Sequence, residues 1–218
     1  MKIPSPVKCV IFDMDGVIIN SEEIHKKAYY ETFNSLNVIV SDTLYKSFTG
    51  SSTSNAFQRL IAHFNLDEDP EKLVLDKRER YLGFFENDPN LQLVYGAKEI
   101  IQYLHAKGIT LVLASSSAMV NIDRVFNRFH LQQYFTAKIS GADLIASKPH
   151  PEIFNKAVIL SNFKKENCIV IEDSDNGIKA ANDAQIFVFG YANKLSEGQT
   201  LENANLVIDN FNALKEFV

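Results

Sequence analysis

The chain has 218 residues, of which 46% are hydrophobic and 22% charged, and its formal net charge is −5. This composition is typical of a soluble globular protein and excludes a largely disordered chain. The acidic balance argues against a nucleic-acid-binding protein, because such proteins carry a basic excess that meets phosphates.

The first residues contain no apolar leader, and no segment approaches the roughly 18 consecutive apolar residues that a membrane span needs. We therefore expect a cytoplasmic protein without membrane contacts. Cys9 and Cys168 each lie inside an apolar run. This placement predicts two buried free thiols in a reducing compartment rather than a disulfide framework.

Short apolar runs rich in Val and Ile predict strands that are covered on both faces, as in a parallel sheet. In chain order these runs are residues 7–12, 109–114, 168–171, 186–189 and 206–208. Helical spacing of apolar residues occurs between them, over 97–106, 151–160 and 178–184. This alternation predicts a doubly wound α/β sheet.

The stretch between the first two strands breaks the alternation. Residues 24–36, 53–64 and 71–85 place apolar side chains at helical spacing, and no strong strand pattern interrupts them. We therefore predict a small all-helical cap domain over residues 20–92, inserted after the first strand. The α/β core would then consist of residues 1–19 and 93–218.

Ligands bind beyond the carboxyl ends of the strands in an open α/β sheet. The chemistry-bearing residues at these ends, or in a loop before a helix, are Asp13, Asp15, Ser115, Lys148, Glu172 and Asp173. Carboxylates crowded at one edge repel each other and need a cation, and oxygen ligands without His or Cys suit Mg²⁺. A lysine and a hydroxyl can hold a phosphate-like anion. A carboxylate beside Mg²⁺, with a second acid two residues later, indicates phosphoryl transfer.

These residues carry a family resemblance. The segments Asp13-Met14-Asp15-Gly16-Val17, Ser115, Lys148-Pro149 and Glu172-Asp173-Ser174 resemble, in order and spacing, the four motifs of the haloacid dehalogenase superfamily of phosphotransferases. The insertion after the first motif resembles the helical cap of its β-phosphoglucomutase-like branch. The resemblance covers nearly the whole chain and implies a Rossmann-like core.

The resemblance also implies a role for each motif residue. Asp13 would be the nucleophile that becomes an aspartyl phosphate, and Asp15 would protonate the leaving alkoxide and then deprotonate water. Ser115 and Lys148 would hold the transferring phosphoryl group. The Mg²⁺ ligands would be Asp13, the main-chain carbonyl of Asp15, and Asp173 with Glu172.

The cap is expected to select the substrate. The predicted substrate-binding residues are Ser21, His25, Thr49, Gly50 and Ser116, with His25 either orienting Asp15 or contacting the leaving group. Glu22 and Glu23 are expected on the exposed face of the first cap helix.

The sequence departs from the sugar phosphomutase pattern in the cap loop, where Thr49 and Thr53 replace a Lys and an Arg. Ala118 and Met119 similarly replace a Lys and an Asn after Ser115. A mutase needs such groups to hold the second phosphate of a bisphosphorylated intermediate, although Lys46 or Arg59 could partly substitute from the cap.

We therefore expect a monomeric Mg²⁺-dependent phosphatase that acts on a small phosphorylated metabolite, such as a sugar phosphate. The first alternative is a β-phosphoglucomutase. The alternative from another class is a non-catalytic phosphoacceptor or ligand-binding module.

Overall fold

The computed structural model describes residues 2–194 and 198–218. These residues form a six-stranded, fully parallel sheet in the order β3-β2-β1-β4-β5-β6. The strands are β1 (Cys9–Phe12), β2 (Thr110–Ser115), β3 (Ala137–Ser140), β4 (Cys168–Glu172), β5 (Phe187–Tyr191) and β6 (Leu206–Ile208). The helices are α1 (Glu22–Ser35), α2 (Asp42–Lys46), α3 (Thr53–Phe64), α4 (Pro70–Asn87), α5 (Ala97–Ala106), α6 (Met119–Phe129), α7 (Glu152–Ser161) and α8 (Asp175–Asp183).

The sheet is buried on both faces, which explains why its strands lack polar alternation. Along β1, Val10 and Phe12 pack in one apolar cluster with α5 and α6, whereas Cys9 and Ile11 pack in another with α7 and α8. The predicted doubly wound α/β fold is confirmed. Both cysteines are buried free thiols, as predicted.

Helices α1–α4 lie between β1 and α5 and contain an apolar cluster of their own, which includes Phe33, Phe57 and Leu60. Other residues of α1 and α4, including Ile24 and Tyr81, belong instead to the main cluster on the sheet. The cap therefore has its own small core and is anchored to the sheet through its first and last helices. The exact domain boundaries of 20–92 for the cap, and of 1–19 and 93–218 for the core, stay predictions.

Three elements, β3, α2 and α6 (Met119–Phe129), lie outside the predicted set. Strand β3 is at the edge of the sheet, and its residues Ala137 and Lys138 are half-buried, so the segment lacks a continuous apolar run. Helix α2 has five residues, of which only Tyr45 is buried, and this is too short for a periodic pattern. Within the described residues, no helix combines the length and apolar character needed to cross a membrane.

Candidate active site

The order of the strands brings the predicted motifs to one edge of the sheet. Strand β1 pairs with β2 on one side and with β4 on the other, in register. Asp13 follows β1, Ser115 ends β2, and Glu172 ends β4. The main-chain N–H of Asp13 continues the ladder by donating to the carbonyl of Ile171 (3.0 Å). These three side chains are therefore fixed by the sheet itself.

Lys148 links the first motif to the fourth. Its side chain is 1% exposed, and Nζ donates to Asp13 Oδ1 (2.6 Å), to Glu172 Oε1 (2.7 Å) and to the carbonyl of Ala114 (3.2 Å). Burial would lower the pKa of Lys148, but the charges of Asp13 and Glu172 raise it above its usual value. Lys148 therefore stays protonated beside the predicted nucleophile.

Asp13 lies where negative charge is in excess. Burial raises the pKa of Asp13 to about 8, and the neighbouring carboxylates of Glu172 and Asp15 act in the same direction against Lys148. A buried carboxylate in this situation favours any additional positive charge nearby. The site is thus electrostatically suited to a cation.

The side chain of Asp15 faces the cap and is held by a set of hydrogen bonds. Ser21 Oγ donates to Oδ1, Ser117 Oγ donates to Oδ2 (2.8 Å), and His25 Nε2 lies 3.1 Å from Oδ1. Ser115 Oγ is more distant from Oδ2, at 3.4 Å. Burial would raise the pKa of Asp15, but His25 and the two serine hydroxyls hold it well below its usual range. Two predicted cap residues, Ser21 and His25, thus meet the second acid of the first motif.

Lys77 of α4 is a site residue that the sequence analysis missed. Its side chain is buried, and Nζ lies 2.7 Å from His25 Nδ1 and 4.6 Å from the centre of the Tyr29 ring. Burial lowers the pKa of Lys77 to about 7. An ionised Asp15 can only accept, so Nε2 of His25 donates to it and Nδ1 accepts from Lys77. Helical spacing from the buried Leu73 and Tyr81 was the signal that could have placed Lys77 on the inner face of α4.

The side chains of the four residues predicted to bind the metal are not arranged as one ligand shell. The two oxygens of Glu172 are taken by Lys148 and by the N–H and hydroxyl of Ser174 (2.7 and 2.9 Å). The Asp15 carboxylate is turned toward the cap. Within the described residues, no group of three or more His, Cys, Asp and Glu side chains is positioned to hold a metal ion. The other oxygen donors of the predicted set are Asp13, which also accepts from Lys148, Asp173 and the main-chain carbonyl of Asp15.

Gly16 allows Asp173 to approach the first motif. Its φ is +79°, and a Cβ at this position would lie 1.9 Å from Asp173 Oδ2. Only a glycine accommodates both the backbone conformation and this close approach. The fourth motif therefore approaches the first at a position where only glycine fits.

The cap loop, residues 47–52 between α2 and α3, closes over this edge of the sheet. Thr49 and Gly50 line a cavity together with Asp13, Asp15 and His25. The hydroxyl of Ser116 donates to the carbonyl of Gly50 (2.7 Å), so this predicted substrate-binding residue fastens the cap loop to the core. The side-chain amide of Asn176 donates to the carbonyl of Thr49 (2.7 Å) and adds a second fastening.

Glu22 does not lie where it was expected. Glu23 is exposed, as predicted, but Glu22 lines the cavity beside Asp15. Burial and the charge of Asp15 raise the pKa of Glu22 to about 7. The expectation failed because α1 begins at Glu22, and the first turn of the helix points toward the sheet edge.

Residues 10–191 match the family model described as haloacid dehalogenase-like hydrolase. A phosphorylated carbohydrates phosphatase of Thermotoga maritima is 27% identical over 92% of this chain and 93% of its own length. The β-phosphoglucomutase of Bacillus subtilis is 25% identical over 93% and 89%. The crystal structure of a β-phosphoglucomutase from Clostridium difficile superimposes with a TM-score of 0.82 at 27% identity, covering 95% of this chain and 93% of that one.

The chain belongs to the haloacid dehalogenase-like hydrolases, since the family model spans most of its length. The resemblance stated from the four motifs is thereby confirmed. The prediction of an enzyme, a phosphoric monoester hydrolase of this family, is confirmed as well, because phosphatases and a phosphomutase are among its relatives.

Proposed function

We propose that the protein is a Mg²⁺-dependent phosphatase that hydrolyses small phosphomonoesters, such as sugar phosphates, through an aspartyl phosphate on Asp13. One observation favours a phosphatase over a mutase. Among the described residues that line the cavity above Asp13, none is a lysine or an arginine. The second phosphate group of a mutase intermediate would therefore find no cationic partner in this cavity. Hydrolysis has no such requirement, because the phosphoryl acceptor is an uncharged water molecule.

The two cations that might have replaced the missing groups lie elsewhere. The two terminal guanidinium nitrogens of Arg59 donate to the main-chain carbonyl and the hydroxyl of Ser47 (2.8 Å each), and the group stacks on Phe48. Lys46 and Arg59 line a different cavity, where Lys46 packs beside Gly198. This placement supports the argument from Thr49 and Thr53.

In the first chemical step, a carboxylate oxygen of Asp13 attacks phosphorus and the ester P–O bond breaks. The leaving alkoxide takes a proton from Asp15. In the second step, water attacks the phosphorus, Asp15 takes its proton, and the bond to Asp13 breaks to release phosphate. The hydrogen bonds from Ser21, Ser117 and His25 favour ionised Asp15, the form that the second step requires. Asp15 must therefore bind a proton before the first step.

Lys148 and Ser115 support the phosphoryl group in this proposal. Lys148 already lies against Asp13, so its charge is in place when negative charge develops during transfer. Ser115 Oγ accepts from the main-chain N–H of Ser117 (3.1 Å), which orients its hydroxyl. Glu172 acts through Lys148 and Ser174, as a positioning residue.

The residues fit a magnesium ion. Asp13, Asp173 and the main-chain carbonyl of Asp15 offer the oxygen donors that Mg²⁺ prefers. Burial raises the pKa of Asp13, and the charges of Glu172 and Asp15 add to this effect, so a divalent ion nearby would stabilise the ionised carboxylate. When bound, the ion would supply charge neutralisation at the transferring phosphoryl group.

The experiment measures phosphate release and isomerisation on one preparation. With Mg²⁺, a panel of phosphometabolites should yield inorganic phosphate, and EDTA should remove the activity. Inactivity across the panel with a folded sample contradicts the proposal, as does a metal-independent rate. Conversion of β-glucose 1-phosphate to glucose 6-phosphate with a bisphosphate activator, without net phosphate release, identifies the mutase instead.

Stable phosphorylation without turnover would indicate the phosphoacceptor alternative. The monomeric state and the cytoplasmic location stay predictions.

A further inference from the structure

The carboxylate of Glu22 is the feature of the cavity that the proposed mechanism does not use. Glu22 is the first residue of α1 and lines the cavity beside Asp15. No hydrogen bond or ion pair joins this carboxylate to another of the described residues, and Lys77 is the nearby cation that lowers its pKa against burial and Asp15. It also lies close to two cap tyrosines, Tyr29 and Tyr45. Burial raises the pKa values of both hydroxyl groups, and the charge of Glu22 raises them further. A hydrogen-bond acceptor therefore faces the space that a substrate would fill.

The remaining wall of this space is aromatic and hydroxylic. Tyr29, Tyr45 and Phe48 contribute rings, and Ser51 and Thr53 contribute hydroxyl groups. Rings offer flat apolar surfaces for C–H groups, and a few polar side chains among them fix the orientation of a ligand. Such a wall suits a molecule that carries both C–H and O–H groups.

We propose that Glu22 is the specificity-determining residue of this enzyme. Its carboxylate accepts hydrogen bonds from the hydroxyl groups of an uncharged polyhydroxy leaving group, and it repels substrates that carry a second phosphate or a carboxylate. This inference rests on the proposed phosphatase function, and it narrows the substrate class to monophosphates of neutral polyols and sugars.

The test compares three substrates at about pH 8, above the raised pKa of Glu22. Glucose 6-phosphate carries a neutral leaving group, fructose 1,6-bisphosphate a second phosphate, and phosphoglycolate a carboxylate. The quantity measured is the ratio of kcat/KM for glucose 6-phosphate to that for each charged substrate. The Glu22→Gln variant removes the charge with little change of shape. Glu23→Gln is the matched control, because Glu23 lies in the same helical turn and is exposed.

The wild-type enzyme should favour glucose 6-phosphate, and Glu22→Gln should lower both ratios by about tenfold or more, since like charges a few ångströms apart are strongly repulsive in a closed site. Most of the change should be in KM. Glu23→Gln should leave the ratios within about twofold, as expected for an exposed surface charge. Should Glu22→Gln fail to fold, Glu22→Ala removes the same charge and should shift the ratios in the same direction.

Unchanged ratios in a folded Glu22→Gln enzyme would overturn the inference and leave the phosphatase proposal standing. A wild-type enzyme that hydrolyses fructose 1,6-bisphosphate as efficiently as glucose 6-phosphate would do the same. If the wild-type enzyme releases no phosphate from any of the panel, the phosphatase proposal itself fails and the inference fails with it.

Discussion

Replacing Lys148 by methionine is the sharpest test of how this site is held together. The ammonium group lies 2.6 Å from Asp13 and 2.7 Å from Glu172, and the side chains of all three residues are at most 9% exposed. Methionine fills a similar volume but cannot donate. The variant therefore leaves two buried carboxylates next to each other without their shared cation.

The expected cost follows from these contacts. Removing one partner of a buried ion pair costs about 3–5 kcal/mol, because the remaining charge has lost its compensation. For a chain of this length, this loss corresponds to a decrease in Tm of roughly 10 °C. Adding Glu172→Gln to Lys148→Met removes one uncompensated charge and should recover part of the lost stability. Phosphatase activity should not recover, because the cation beside Asp13 is still missing.

Urea denaturation in EDTA measures the stability of the two variants, and phosphate release in Mg²⁺ measures their activity. Lys156→Met is the control, because Lys156 pairs with Glu152 on an exposed helix face (2.9 Å), where such pairs contribute at most about 1 kcal/mol. If Lys148→Met is as stable as the control, or if Glu172→Gln adds a further loss instead of a recovery, the argument from buried charge is wrong.

Three further predictions concern single side chains. Gly16→Ala should abolish activity, because its Cβ would lie 1.9 Å from Asp173 Oδ2; Gly108→Ala has a similar φ of +75° with no atom within 4 Å, so assays of both variants separate close approach from backbone strain. Asp13→Asn should abolish phosphate release while leaving the fold intact, and retention of a tenth of the activity would exclude Asp13 as the nucleophile. Because the pKa of Lys77 is lowered to about 7, the folded protein binds fewer protons than the unfolded chain above that pH. The free energy of unfolding should therefore rise by up to about 4 kcal/mol between pH 7 and pH 10. Lys77→Met should lack this rise in urea titrations, and parallel pH profiles would contradict the assignment.

The strands and the residues at their ends could be predicted because burial on both faces leaves a simple pattern in the sequence. β1 is an apolar run that is followed directly by Asp13, and β2 and β4 are apolar runs that end at Ser115 and Glu172. The carboxyl ends of neighbouring parallel strands meet at one edge. Their convergence therefore required knowledge only of strand positions and not of side-chain conformations.

The hydrogen-bond partners of these residues could not be predicted in the same way. The contact of Ser116 with Gly50 joins residues 66 positions apart, and it exists only because the cap loop closes on the core. Glu172 ends its strand at the position where a metal ligand was predicted, yet its oxygens accept hydrogen bonds from Lys148 and Ser174. Spacing along the chain contains no information on which of several oxygen acceptors a lysine will reach.

The hydrogen-bond partners that the sequence did not reveal determine the charge balance of the site, and this balance affects function. Lys148 sits between Asp13 and Glu172, and Lys77 reaches Asp15 through His25, so each lysine already has carboxylate or imidazole partners before a substrate arrives. A phosphomonoester would bring further negative charge to a site where carboxylates outnumber lysines. Electrostatics then favours the binding of a divalent cation together with the substrate. The affinity for Mg²⁺ should therefore increase when a phosphate ester is bound. Without Mg²⁺, Lys148 and Lys77 should not support turnover.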